Sequence, residues 1–222
     1  MARTLALFDL DNTLLTDDSD YLWGRYLADA GLVDGPAYEA DNARYYELYK
    51  AGNLDIHEFL RFALRPLSEL PLPRLLVLRE RFVADWIAPR IAPGAAGLIG
   101  RHRQDGHLPV IITATNRFVT GPIAGLLGVP ALIATEPQWD AGRFTGRALD
   151  PPCFHAGKVA CLQRWQKRYG YEGAHLHFYS DSHNDLPLLE LADTPCVVDA
   201  DPLLAAAAVR HGWPHISLRG SA

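Results

Sequence analysis

Thr4-Leu5-Ala6-Leu7-Phe8-Asp9-Leu10-Asp11-Asn12-Thr13 is the stretch that decides the fold. A short apolar run, broken at once by two aspartates, reads as a buried strand that delivers its charge at the carboxyl end. Similar runs recur at Leu108 to Thr113, Ala131 to Ala134, His175 to Tyr179 and Pro195 to Val198. Between them lie segments of helical length: Pro93 to Arg103, Arg117 to Leu127, Lys158 to Tyr169 and Asp185 to Leu191. Strands alternating with helices predict an α/β fold with a parallel sheet covered on both faces.

Asp17 to Ala88 breaks this rhythm and reads as several helices with no good strand candidate. Asp55 followed by Glu58 predicts a capping box. Pro71 and Pro73 open the next helix, and Pro89 and Pro93 close the segment. The expected organisation is a core of residues 1–16 and 89–222, with an all-helical insertion at 17–88 directly after the first strand.

The 222 residues, 49% hydrophobic and 21% charged, suffice for one α/β domain carrying a modest insertion. With 21 basic against 26 acidic residues and no basic stripe, nucleic acid is not an expected partner. Cys153, Cys161 and Cys196 form no CxxC pair, which suits a reducing compartment. The apolar run in residues 1–8 is too short for a signal segment or a membrane span, so a cytoplasmic location is expected. The oligomeric state stays open.

Asp9 and Asp11 sit where open α/β sheets bind ligands, at a strand's carboxyl end. Two carboxylates this close need a cation or a shared proton between them. One then serves as nucleophile and the other as proton donor to a leaving alkoxide; a solvated acidic turn is the plainer reading. Ser180-Asp181-Ser182-His183-Asn184-Asp185 follows another apolar strand. A carboxylate there, beside Asp9, completes an oxygen-rich site for Mg²⁺, whereas the plainer reading is a turn whose Asp185 caps a helix. Thr113 ends Val110-Ile111-Ile112; its hydroxyl and the backbone N–H groups that follow, from Ala114 on, suit phosphate at a helix start. Strands also end in threonine without such a role. Lys158, after Gly157 at a helix start, is either a surface lysine or positive charge for a phosphoryl group.

In these motifs, taken together and in this order, the chain resembles the haloacid dehalogenase (HAD) superfamily. Its phosphatases carry DxDxT, a Ser or Thr after a strand, a Lys, and a GDSxxD-like acidic motif. The resemblance runs from Asp9 to Asp185 and beyond, and the insertion resembles the C1 cap of the phosphoserine phosphatase-like branch, subfamily IB. It implies a Rossmann-like core, Mg²⁺, and hydrolysis of a small phosphate monoester through an aspartyl phosphate. By that resemblance Asp9 attacks phosphorus, while Asp11 protonates the leaving oxygen and then activates water. Asp9, the Asp11 carbonyl and Asp181 hold the metal; Thr113, Ala114 and Lys158 bind phosphate; Asp185 and Asn184 orient Lys158 or water around the metal. Ser180 stands where the family usually has Gly. Phosphate monoesters hydrolyse so slowly unaided that in-line positioning, charge neutralisation and acid–base help are all needed. Transfer to an alcohol acceptor and a non-catalytic phosphate-binding regulatory module remain as other readings.

The insertion is expected to choose the substrate. Phosphoserine phosphatases place a glutamate near Asp18 and Asp20 for the substrate amine, and a cap arginine, here Arg61 or Arg65, on its carboxylate. Asp18 or Asp20 also reads as a helix cap, and the arginines as solvated helix residues. The stretch Asp18 to Gly24, with Thr135-Glu136-Pro137, Gly142 to Gly146 and Pro152-Cys153-Phe154, resembles a bacterial subgroup described as histidinol-phosphate phosphatases or phosphoserine phosphatase-like. An amino-alcohol phosphate such as histidinol phosphate or phosphoserine is the implied substrate. Tyr38, Tyr45 and Tyr49 share one helical face, as packing or as an aromatic pocket. Among nine histidines, His175 and His177 share a strand face and read as structural, and His155 lies three residues before Lys158.

Overall fold

The computed structural model describes residues 3–220; residues 1–2 and 221–222, the outermost positions of the expected core, lie outside the described residues. The strands are β1 (Thr4–Phe8), β2 (Leu108–Asn116), β3 (Ala131–Thr135), a hairpin of β4 (Pro137–Asp140) and β5 (Arg143–Ala148), then β6 (His175–Ser180), β7 (Thr194–Val198) and β8 (His215–Ile216). All but the hairpin join one sheet in the order β3-β2-β1-β6-β7-β8, with every neighbouring pair parallel. The helices are α1 (Ser19–Asp29), α2 (Gly35–Lys50), α3 (Ile56–Glu69), α4 (Leu72–Phe82), α5 (Ala95–Gln104), α6 (Arg117–Leu126), α7 (Ala156–Tyr169), α8 (Leu186–Leu191) and α9 (Pro202–His211). This is the Rossmann-like α/β architecture expected from the alternating pattern.

Leu5 and Leu7 pack with Val110, Ile112, Phe178 and Leu162 on one face, while Ala6, Phe8 and Ile111 pack with Leu98 and Ile123 on the other. Burial on both faces is why β1 reads as an unbroken apolar run. Each fully buried Leu or Phe stabilises the fold by about 1.5–3 kcal/mol. From β1 the chain adds β2 and β3 on one side and β6, β7 and β8 on the other. Such a switch opens a crevice at the carboxyl ends of the strands.

Helices α1 to α4 lie between β1 and α5, and the chain leaves and re-enters through a narrow neck. There Leu15 bridges Ile91, the Thr16 N–H donates to Arg90 C=O at 2.8 Å, and the Ala92 N–H donates to Leu14 C=O at 2.9 Å. Trp23 of α1 lies edge-on to Phe82 of α4 at 5.1 Å and to Phe118 of α6 at 6.1 Å. The apolar core of these helices is therefore continuous with one face of the sheet.

Asp18 caps α1, accepting from the Asp20 and Tyr21 N–H groups at 2.9 and 2.8 Å. Asp55 caps α3 in the same way, through His57 and Glu58. The expected capping box is only half made, because the Glu58 carboxylate accepts from the Tyr45 hydroxyl at 2.8 Å where α2 crosses α3. Pro71 sits at the cap of α4, as expected.

The hairpin was not legible in the sequence. It packs on α3, where Gly146 takes φ 75° with Ser68 Oγ only 3.0 Å from where a Cβ would sit. Among the described residues no helix is long and apolar enough to cross a membrane.

Gly157 stands at the start of α7, one residue before Lys158. A Cβ there would collide with the Pro152 carbonyl oxygen, a backbone atom that cannot rotate away. Overpacking of this kind costs about 1–3 kcal/mol. Gly157→Ala should lose that much stability in urea unfolding, whereas Gly121→Ala in α6, with open space around it, should lose none.

Candidate active site

β1 ends in an extended Asp9, and the next residues form one wide turn closed by the Leu15 N–H donating to Leu10 C=O at 2.9 Å. Within it Asp11 stays extended and Asn12 takes φ 57°, a left-handed value that Asn tolerates better than most residues. This turn brings both aspartates to one cavity. Its floor is formed by Asp9, Asp11, Thr113, Ala114, Lys158 and Asp185.

Lys158 is 3% exposed, and its Nζ donates to Asp9 Oδ1 at 2.8 Å and to Asp185 Oδ2 at 2.7 Å. Burial alone would depress its pKa, but Asp185 and Asp9 outweigh that and hold it above the ordinary lysine value. Burial pushes Asp9 up to about 7, against the pull of Lys158 and with added repulsion from Asp185 and Asp11. Asp181 is also raised well above the ordinary range, by burial first and then by Asp9.

Thr13 fixes Asp181: its hydroxyl donates to Asp181 Oδ1 at 3.0 Å and accepts the Asp181 N–H at 3.1 Å. Ser180, in the place of the usual glycine, donates to Asp185 Oδ2 at 2.7 Å. The serine thus orients the carboxylate that holds Lys158. The Asp185 side chain does not cap α8, since it makes no cap hydrogen bond there.

Asp11 accepts from the Ser19 N–H at 2.7 Å, from Thr113 at 3.2 Å and from Thr115 at 2.8 Å. Thr115 was missed in the sequence, although alternation along an extended β2 puts it on the same face as Thr113. The expected end of the strand at Thr113 is corrected: β2 runs on to Asn116, whose side chain caps α6 by accepting the Val119 N–H at 3.2 Å, and α6 begins at Arg117 as expected.

The donors suit a hard divalent cation. Asp9 and Asp181 are buried carboxylates whose ionised forms repel each other, and Asn184 Oδ1 is buried with no hydrogen-bond partner among the described residues. A cation bound to Asp9, Asp181 and a main-chain carbonyl such as that of Asp11 would reverse the desolvation cost, and oxygen-only ligation favours Mg²⁺.

The roof comes from α1, α2 and α3. Asp18, Asp20, Tyr21, Tyr46, Tyr49 and Phe59 face the cavity, with Phe154 at its side. Asp20 is pushed up to about 7 by burial and then by Asp11, and Asp18 is raised by the same causes. Asp18 is therefore both helix cap and cavity wall.

Arg61 and Arg65 are not brought to the site. Both are exposed on α3, Arg65 lies 3.6 Å from Glu69, and neither lines the cavity. The tyrosine stripe divides: Tyr38 stacks on Phe62 at 4.4 Å, while Tyr45 and Tyr49 reach the cavity. Tyr49 also ties roof to floor, donating to Ser182 Oγ at 3.1 Å and accepting at its carbonyl from Asn184 Nδ2 at 3.2 Å. His155 does not line the cavity; it precedes α7 with φ 53°.

Residues 6–190 match the model of the haloacid dehalogenase-like hydrolase family. A histidinol-phosphatase of Neisseria meningitidis is 38% identical over 98% of this chain and 100% of its own length. A phosphoserine phosphatase of Mycobacterium tuberculosis is 30% identical over 94% of this chain and 68% of its own. A crystal structure of a Bordetella pertussis protein of unknown function superposes with a TM-score of 0.92 at 39% identity, covering 98% of this chain and all of that one. With the family's motifs assembled in one cavity and matched over most of the chain, the protein belongs to the haloacid dehalogenase-like hydrolases and is one of their phosphatases.

Proposed function

We propose that this phosphatase hydrolyses a small phosphate monoester bearing a cationic amine, with Mg²⁺, through an acyl phosphate formed on Asp9. The observation that carries the reading is the floor itself: a nucleophile-competent carboxylate, a second carboxylate two residues on, and one buried ammonium at 2.8 Å from the first. Lys158 draws a phosphoryl group toward Asp9 and neutralises its oxygens. One oxygen of Asp9 attacks phosphorus in line, the P–O bond to the alcohol breaks, and Asp11 delivers a proton to the departing oxygen. Thr113 and Thr115 hold Asp11 at the cavity for that transfer and for the return step, when Asp11 takes a proton from attacking water and Asp9 is released with inorganic phosphate. Bound Mg²⁺ supplies charge neutralisation for the attacking carboxylate and the phosphoryl oxygens. Residues 17–88 act as the cap, excluding water while the acyl phosphate exists.

The roof argues for the substrate class. Asp18 and Asp20 are costly without a positive partner, and tyrosines with Phe59 and Phe154 offer faces to a cation or a flat ring. Histidinol phosphate carries both an amine and an imidazole. Phosphoserine carries a carboxylate as well, and Lys158, already committed to the floor, is the one cation among the described residues lining the cavity. The charge pattern and the name of the Neisseria relative thus both favour histidinol phosphate.

Phosphate release should be measured from histidinol phosphate, phosphoserine and glycerol phosphate, with Mg²⁺ or chelator. Release should be fastest from histidinol phosphate, need Mg²⁺, and fall by at least about 10³-fold in Asp9→Asn. Equal rates on all three esters would remove the cationic-substrate reading. New phosphate esters appearing when alcohols are added would replace hydrolysis by transfer.

Asp20→Asn should raise KM for histidinol phosphate about tenfold or more, leaving glycerol phosphate little changed. The same variant reports on pH. With a folded value of about 7 against an ordinary 3.8, Asp20 contributes proton-linked stability that is complete below pH 3.8 and lost as pH rises through about 7. Asp20→Asn should therefore raise the unfolding midpoint of the metal-free protein at pH 8 and leave it nearly unchanged at pH 4.

A further inference from the structure

On the face of the sheet that α5 covers, three imidazoles converge. His102 belongs to α5, His107 to the turn before β2, and His177 to β6. Their ligand-type nitrogens all lie within 4.8 Å of one another. His102 is 6% exposed, and the other two are half-buried. His177 pairs with Ala6, three residues before Asp9 in β1.

The local backbone explains the first pair. α5 ends with the Gly106 N–H donating to Arg103 C=O at 3.0 Å and the His107 N–H donating to His102 C=O at 2.9 Å, with Gly106 at φ 76°. This double closure folds the residue after the glycine back onto the helix residue five before it. That contact is usually apolar; here both positions are histidine. Their Nδ1 atoms stand 2.9 Å apart.

His102 is oriented further by its other nitrogen, Nε2, which lies 2.9 Å from the Tyr179 hydroxyl. As a donor there, Nε2–H leaves the Nδ1 lone pair directed at His107 and the cluster. A histidine whose distal N–H is anchored in this way is the usual arrangement around bound transition metals. Tyr179 in turn stacks on Phe8 at 5.2 Å, which fixes the whole group against β1.

We propose that His102, His107 and His177 form a binding site for one divalent transition-metal ion, Zn²⁺ by preference. Zn–N bonds of about 2.0–2.1 Å in a tetrahedron place ligand nitrogens roughly 3.4 Å apart. The observed 2.9 Å pair and the 4.8 Å span bracket that value, and small rotations of the half-buried His107 and His177 rings reach it. Three neutral nitrogen donors select Zn²⁺, Ni²⁺ or Cu²⁺ over Mg²⁺, so this site and the carboxylate floor take different ions. The half-buried side leaves a fourth position for water. Binding ties the end of α5, the entry to β2 and the start of β6 together, so its role is structural.

The test uses chelator-stripped full-length protein, titrated with Zn²⁺ by calorimetry and with Co²⁺ by visible absorption. Wild type and Asp9→Asn/Asp181→Asn should each take up one equivalent at this site, with tetrahedral Co²⁺ bands and a raised unfolding midpoint in Zn²⁺. His107→Ala/His177→Ala should bind at least about 100-fold more weakly and show neither signal, while its unfolding midpoint without metal shows that it folds. Unchanged binding by the histidine variant, loss of binding in the aspartate variant alone, or no uptake by wild type would each overturn the proposal.

Discussion

The buried ammonium of Lys158 is the contact on which the site depends. It lies between Asp9 at the end of β1 and Asp185 beyond β6, at 2.8 and 2.7 Å, so three elements remote in sequence meet at one nitrogen. Removing one member of such a buried pair typically costs about 3–5 kcal/mol, because the remaining charge is stranded. The surroundings serve this one group. Ser180 donates to the same Asp185 oxygen that Lys158 uses, and Gly157 lets the start of α7 press against the Pro152 carbonyl. Replacing the family's usual glycine by Ser180 is therefore an added restraint on the ion pair rather than a loss.

One ammonium does not balance the cavity. Asp9, Asp11, Asp18, Asp20 and Asp185 line it, and Asp181 stands just behind. Burial without enough counter-charge is what lifts Asp9 and Asp20 to about 7. The protein can relieve the excess by holding protons, by a metal at the floor or by a cation at the roof. The floor offers compact oxygen ligands, and the roof offers separated carboxylates among aromatic faces. The two ends therefore suit different positive partners, and in the proposed mechanism one electrostatic deficit would serve both catalysis and substrate choice.

What the sequence revealed depended on whether a residue's role was local or set by distant packing. The strands were legible because burial on both faces leaves nothing but apolar residues, and the aspartates because they interrupt that run at a sheet end. Lys158 and Asp185 carried no local sign of pairing; only their order with the other motifs pointed to it. Thr115 was readable from strand alternation but was hidden by the expectation that the strand ends at Thr113. Glu58 looked like half of a capping box until α2 supplied Tyr45 as a competing donor. The β4–β5 hairpin, with its mixed polar composition, is held by α3 rather than by a pattern of its own. The histidine cluster had a local sign in His102-Arg103-Gln104-Asp105-Gly106-His107, where the glycine turn brings the two ends together, but its third member comes from another strand.

Relative strengths indicate which parts of the cleft persist through a catalytic cycle. Tyr49 joins roof to floor through two hydrogen bonds, to Ser182 and from Asn184, each worth about 0.5–1.5 kcal/mol net. The ion pair beneath is worth several times that to break. Thermal opening therefore parts α2 from the acidic turn before it disturbs Lys158. The same two bonds fall on residues between Asp181 and Asp185, so a ligand that presses on Tyr49 acts directly on the turn that positions both carboxylates. In the proposed mechanism, these two contacts would couple substrate recognition at the roof to the geometry of the floor.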